Sequence, residues 1–172
     1  MASAADWRPD PTQDSINGQP SFARRDPDAI ASSLRLDFED QPTQEDENFI
    51  GEALGEFNTP FLRDSSYAYF GLFVRDEGRA IRAGLIGHVY AGWLFIKYLW
   101  VEAEFRRGGI GRSLMSEAER RALSLGCHSA WVDTFSFQGP DFYPRLGYVE
   151  FARLDYPPDH ERIFFRKKLR AE

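Results

Sequence analysis

Cysteine is almost missing from this chain. Cys127 is the single thiol in 172 residues, so no internal disulfide can form and a reducing compartment is favoured. Cys127 reads as a small core or helix-end residue. No apolar stretch is long enough to cross a bilayer, and the N-terminus lacks a signal-peptide core. The three histidines are scattered without ligand spacing, so no metal site is expected. A basic excess is missing too: 21 Lys and Arg against 27 Asp and Glu leave a net charge of −6. That balance argues against nucleic acid as a partner and suits a cationic or amine-bearing one. The expectation is a soluble, cytoplasmic protein with no membrane or nucleic-acid partner.

What is present supports one folded domain. Hydrophobic residues make up 42% and aromatics 15%, enough for a substantial core at this length. Residues 1–28 are rich in Pro, Asp, Ser and Gln and read as a mobile or loosely docked tail, with Trp7 and Phe22 as possible anchors. Residues 29–172 read as a single α/β domain. Ser33–Phe38 alternates as a strand does, and Thr43 is placed to cap a helix to about Asn58 with Phe49, Ala53, Leu54 and Phe57 on one face. Strands follow at Tyr67–Arg75, Ala80–Tyr90 and Trp93–Val101, the first two joined by the turn Asp76-Glu-Gly78. An amphipathic helix spans Ile110 to Leu125 and stops at Gly126. Then come a strand at His128–Asp133, a short helix near Pro140, and strands at Tyr148–Leu154 and Arg162–Lys168 around Pro157-Pro158. This order predicts a mixed, mostly antiparallel sheet.

The most telling segment is Phe95–Val101 followed by Arg106-Arg-Gly-Gly-Ile-Gly-Arg112. A strand, a glycine-rich turn and a helix N-terminus together present backbone N–H groups suited to a pyrophosphate. It is not a P-loop, because Arg112 and Ser113 follow Gly111 where Lys-Ser/Thr is needed. It is not a Rossmann turn, because position 114 is Leu where a third glycine belongs. The pattern it does meet is Arg/Gln-x-x-Gly-x-Gly/Ala, through Arg106, Gly109 and Gly111. Glycines 108, 109 and 111 let main chain approach phosphate oxygens, and Arg106, Arg107 and Arg112 reinforce the positive helix end. Ile110, Leu114, Ala118, Ala122 and Leu125 form the stripe that would hold the helix on the sheet.

Two runs, Leu99-Trp-Val-Glu-Ala-Glu-Phe-Arg-Arg-Gly-Gly-Ile-Gly-Arg-Ser-Leu-Met115 and Phe142-Tyr-Pro-Arg-Leu-Gly-Tyr148, resemble the GNAT superfamily of acyl-CoA-dependent N-acetyltransferases. The likeness extends from about Leu34 to Leu169. It implies a GNAT-like fold, helices on both faces of a sheet whose strands Phe95–Val101 and His128–Asp133 splay apart at the centre. Acetyl-CoA would lie in that gap as co-substrate, with its pantetheine along Leu99, Trp100 and Val101. Its pyrophosphate would rest on Arg106, Arg107, Gly108, Gly109, Ile110, Gly111, Arg112 and Ser113. Leu99 and Trp100 point to opposite faces and read mainly as core. The N–H near Val101 would polarise the thioester carbonyl.

The resemblance also implies transfer of an acetyl group to a primary amine of a small molecule or peptide, by direct attack in a ternary complex. Tyr143 matches the family's proton donor to the departing thiolate. Pro144, however, disfavours the α region for Tyr143 and predicts a single irregular turn there. Asp133 matches an acidic residue that serves as base through water, and it also reads as a cap for the following Thr-Phe-Ser turn. Glu102, Glu104, His88 and His160 are secondary carboxylates and imidazoles, each with an ordinary structural or solvent-facing reading. A non-catalytic acyl-CoA-binding module is the alternative, and a larger acyl group a third reading. Phe135, Phe137 and Phe142 would crowd the gap and favour acetyl. Acceptor choice falls to Asn58–Ser66 and Asp155–His160, where Asp64, Asp155, Asp159 and Glu161 hint at a cationic acceptor. A homodimer through edge strands is plausible for such a fold.

Overall fold

A computed structural model describes residues 34–62 and 67–169. The expected tail, its anchors Trp7 and Phe22, the boundary at residue 28, and Asp64 lie outside these residues. The chain divides after Thr43 into two units. In the first, residues 34–42 carry no strand, and Leu36 and Phe38 are exposed. The strand expected over Ser33–Phe38 is therefore corrected: alternation gives a chain two faces, but a strand also needs its backbone groups paired in a ladder.

The second unit runs α1 (Gln44–Asn58), β1 (Ala68–Arg75), β2 (Ile81–Tyr90), β3 (Trp93–Val101), α2 (Ile110–Ser124), β4 (Ser129–Phe135), β5 (Val149–Tyr156) and β6 (His160–Lys168). The strands form one sheet in the order β1-β2-β3-β4-β6-β5. Every joint is antiparallel except β3–β4. In the β1–β2 hairpin the Asp76 carboxylate accepts from the Ala80 N–H at 2.9 Å and from the Arg82 side chain at 2.8 Å. That pins the turn the sequence announces.

α1 begins with Glu45, Asp46 and Glu47, which complement the positive end of the helix dipole. Its expected apolar stripe exists, yet the helix buries no side chain and Phe49, Leu54 and Phe57 stand exposed. α2 is the helix that packs. Leu114, Met115, Ala118 and Ala122 are buried against Ala83, Leu85, Leu94, Ile96 and Val132 of the sheet. Alanines at 118 and 122 bring the helix axis close to the strands. Leu125 caps α2 and Gly126 follows with φ 90°, so the chain turns into Cys127, which is 2% exposed and belongs to the core.

One charged pair is set into this packing. Lys167 Nζ donates to Glu119 Oε2 at 2.6 Å, with the two side chains 25% and 15% exposed. Lys167→Met would leave the Glu119 carboxylate unpaired beside the buried Tyr148 ring. The expected loss is about 2 kcal/mol, less than for a fully buried pair because water still reaches both groups. Urea denaturation followed by tryptophan fluorescence measures it, and an unchanged midpoint at equal slope would contradict it.

Candidate active site

The site exists because β3 is irregular. Its ladder with β2 slips so that Gly87 faces Ile96 and Ile86 faces Tyr98, leaving Lys97 as an extra residue. A Cβ on Gly87 would lie 2.7 Å from the Phe95 carbonyl oxygen, so the close approach at this bulge demands glycine. Bulges bend and twist the strand that carries them. At this same place β3 leaves β4: Trp93–Ile96 lie along Ser129–Val132, and beyond them the two strands part. From there Tyr98–Val101 keeps only β2 as a neighbour, and Asp133–Phe135 keeps only β6. The result is a wedge with unpaired backbone on both walls. The rings of Phe95 and Trp131 stack at 4.1 Å where it closes. The splay expected between these two strands is therefore present.

At the mouth of the wedge, residues 103–105 make a short 3-10 turn, and Arg106 folds back so that its Nε donates to the Val101 carbonyl at 3.0 Å. This guanidinium braces the end of β3 against the turn. Arg107 and Gly109 adopt positive φ, 66° and 86°, the kind of backbone that can gather successive N–H groups into an anion-binding concavity. The Ser113 N–H is the first to find an acceptor, the Gly109 carbonyl at 3.0 Å. The amides of Arg107 through Arg112 bond to no oxygen among the described residues. Gly111 has a purpose the sequence did not disclose. A Cβ there would meet the Phe142 ring at 3.3 Å, so its absence seats that ring between helix and strand and ties the turn to the Tyr143 segment.

Leu99 and Val101 pack against the core, as their alternation implies. Trp100 does not: it is 48% exposed on the opposite face, and its expected core role is corrected. The face it occupies lies away from α2, the helix seated on the sheet core among the described residues.

Tyr143 is buried, and its ring stacks on Phe165 at 5.5 Å and meets Phe142 edge-on at 5.3 Å. Residues 140–142 and 144–146 form two 3-10 turns joined at Tyr143, so the expected single irregular turn is two. Tyr143 has φ −69° and ψ −43°, inside the α region that Pro144 was expected to disfavour. Pro144 opens the second turn, where a missing N–H leaves no bond unmade, and the Pro140 carbonyl is served by the Tyr143 N–H at 3.3 Å. Burial, helped by the negative charge of Asp133, pushes the Tyr143 phenol up to about 12. Its hydroxyl has no hydrogen-bond partner among the described residues.

Asp133 is paired with Arg162, Nε to Oδ2 at 2.7 Å, and this hydrogen bond raises the arginine's pKa. It does not cap the following turn, as one reading expected. Gln138 does that, its Oε1 accepting from the Thr134 hydroxyl and the Phe135 N–H, both at 3.0 Å. Glu102 bonds to Arg82 at 3.0 Å and is structural, while Glu104 is exposed. His160 lies edge-on to Phe137, and His88 sits between Tyr67 and Phe95. Burial first, then Lys97, lowers the His88 pKa, which keeps that imidazole neutral at pH 7. Sequence reasoning missed Arg162, Gln138, the Phe95–Trp131 stack and the seat of Phe142. Arg162 and the Phe95–Trp131 stack depend on strand register and the Phe142 seat on helix packing, whereas the Gln138 cap is local, three and four residues from its donors.

A mixed sheet that opens at its one parallel joint, with bare amides at the mouth and a buried phenol near a carboxylate, defines an acyltransferase of the acyl-CoA-using kind. The model of the Acetyltransferase (GNAT) family matches residues 28–148, and the chain belongs to that family. It is 38% identical over 102 residues to the blasticidin-S acetyltransferase of Streptomyces morookaense, covering 58% of this chain and 75% of that one. It is 29% identical over 110 residues to an acetyltransferase of Agrobacterium fabrum, covering 64% of this chain and 80% of that protein. The crystal structure of an acetyltransferase from Bacillus cereus superposes with a TM-score of 0.66 at 32% identity, covering 77% of this chain and 97% of that one. The protein is thus an N-acetyltransferase with acetyl-CoA as its co-substrate, and the enzymatic reading prevails over a coenzyme-binding module. Among the described residues no helix is long and apolar enough to cross a membrane.

Proposed function

We propose that this enzyme acetylates a primary amine of a small molecule by direct attack within a ternary complex. The observation that carries the reading is the wedge between β3 and β4, with the amides of residues 107–112 at one end and Tyr143 beside it. Pantetheine lies along the unpaired edge of Leu99 to Val101, and its pyrophosphate sits on the amides of Arg107 to Arg112. The N–H near Val101 polarises the thioester carbonyl. The acceptor nitrogen bonds to the carbonyl carbon and the C–S bond then breaks, so one proton must leave nitrogen and one must reach sulfur.

Tyr143 serves that exchange as a donor. A phenol near 12 holds its proton throughout the working range, but handing it outright to a thiolate of pKa about 8.5 is uphill. It therefore stabilises the departing sulfur by a hydrogen bond and passes on a proton only as it receives one released by the acceptor nitrogen. Asp133, ion-paired with Arg162, is the carboxylate proposed to take up, through water, the separate proton that a protonated amine must shed before it attacks. The resemblance to an enzyme named for blasticidin-S, together with exposed Asp155 and Asp159, supports a small cationic amine over a peptide. A reducing, cytoplasmic setting suits the buried thiol of Cys127.

A panel of small amines, blasticidin S among them, set against N-terminal peptides and followed by release of free CoA, tests the acceptor class. Turnover confined to peptides would overturn it. The pH profile is also constrained. Because the folded pKa of Tyr143 lies above its ordinary 10, the phenol stays protonated and kcat should show no alkaline limb below about pH 10. The stability that neutral Tyr143 contributes is complete below pH 10 and is lost as pH rises from there towards 12. An alkaline loss of kcat centred near pH 8 would remove Tyr143 from the proton path.

A further inference from the structure

Two concavities flank α2. One, of about 320 Å³, lies toward β1; it is lined mainly by Leu72, Phe73, Ile110 and Leu114, and its one charged side chain is Glu117. The other, of about 270 Å³, lies on the opposite flank and differs in kind: Arg112, Ser116 and Glu119 of α2 meet Arg145 and Lys167 around it. Arg145 follows the turn that carries Tyr143, and Lys167 comes from β6, so three separate elements supply its cations. Lys167 is neutralised by Glu119 at 2.6 Å. Arg112 and Arg145 are exposed and make no ion pair or hydrogen bond among the described residues. The pocket thus holds two uncompensated guanidinium groups and a serine hydroxyl able to donate. It starts at Arg112, the last of the bare amides, and Ser116 lies one helical turn further on, about 6 Å along the axis.

The co-substrate carries a matching group. Next to its pyrophosphate, across a single ribose, acetyl-CoA bears a 3′-phosphate monoester of charge about −1.5 to −2 at neutral pH. We propose that the pocket formed by Arg112, Ser116, Arg145 and Lys167 receives this 3′-phosphate and makes the enzyme discriminate acetyl-CoA from its 3′-dephospho form. The proposal rests on the pyrophosphate seat proposed above, because the ribose must start from those amides. Arg145 presents a planar fork suited to a phosphate, while Lys167, its charge offset by Glu119, packs over the Tyr148 ring at 5.4 Å and bounds the pocket. The apolar groove on the other flank offers a dianion only the Glu117 carboxylate.

Calorimetric titration of the intact protein with CoA and with 3′-dephospho-CoA tests the assignment without turnover. Wild type is expected to bind CoA at least tenfold more tightly, with a steeper fall in affinity as salt rises. In Arg145→Ala, CoA should weaken about tenfold, the worth of one charge-assisted hydrogen bond, while dephospho-CoA is unchanged. Arg145→Lys should fall between them. Because Arg145 is exposed, the variant keeps its fold, and an unaltered circular dichroism spectrum checks this. Equal affinity of wild type for both ligands, or equal weakening of both in Arg145→Ala, would overturn the 3′-phosphate site and leave the pyrophosphate seat standing. Failure of wild type to bind either ligand would overturn both.

Discussion

Gly109→Trp is expected to lower acetyl-CoA affinity by more than 100-fold while the protein still folds. Gly109 precedes α2 with φ 86°, a conformation that costs a residue with a side chain about 1–2 kcal/mol. For a domain of this size that lowers Tm by only a few degrees. The strain stays local because α2 is anchored further along by Leu114, Met115, Ala118 and Ala122. A Cβ at position 109 meets nothing within 4 Å, so the indole is not forced into the protein and extends over the space the amides face. The barrier is thus steric and falls where the diphosphate is placed. Gly109→Asn separates the two effects: asparagine tolerates positive φ and is small, so most of the affinity should survive. Fluorescence titration with acetyl-CoA reads both variants. Wild-type affinity in the tryptophan variant would move the pyrophosphate elsewhere.

The glycine turn was legible from the sequence because its requirements are local. A strand, three glycines and an amphipathic helix follow one another in about thirty residues, and each is recognisable without its neighbours. The same holds for Trp93–Val101, the Asp76-Glu-Gly78 hairpin and the stop at Gly126, all found where the pattern put them. What escaped was everything set by register between distant segments. The extra residue at Lys97 cannot be seen in β3 alone, since a bulge exists only relative to β2. Arg162 is 29 residues from Asp133, and they meet only because β6 lies beside β4. Amphipathy misled for α1: it marks which side of a helix can be buried, not whether anything covers it. For Trp100, hydrophobicity suggested the core, but strand alternation places it opposite Leu99 and Val101, which hold the buried face. Pro144 misled for a different reason. Its bias against the α region at Tyr143 is a modest preference, and packing against Phe142, Tyr148 and Phe165 overrides it.

That packing makes Tyr143→Phe the cleanest probe of the chemistry. The substitution keeps the ring on Phe165 and against Phe142 and removes only an oxygen with no hydrogen-bond partner among the described residues. Stability should change by less than about 1 kcal/mol, since the lost hydroxyl leaves no other buried group unsatisfied. The catalytic effect should be far larger. If the phenol stabilises the departing sulfur and relays the nitrogen's proton to it, kcat should fall by about 100-fold, the lower end of the range for a positioned acid. KM for acetyl-CoA should hardly move, because the interaction strengthens only as charge develops on sulfur. Tyr143→Ala would confuse the matter by opening a cavity in the core. Steady-state kinetics on the phenylalanine variant, with a thermal melt alongside, separate the two roles. A kcat equal to wild type with an unaltered melt would make Tyr143 a packing residue, with the thiolate, already a good leaving group at pKa about 8.5, departing unaided.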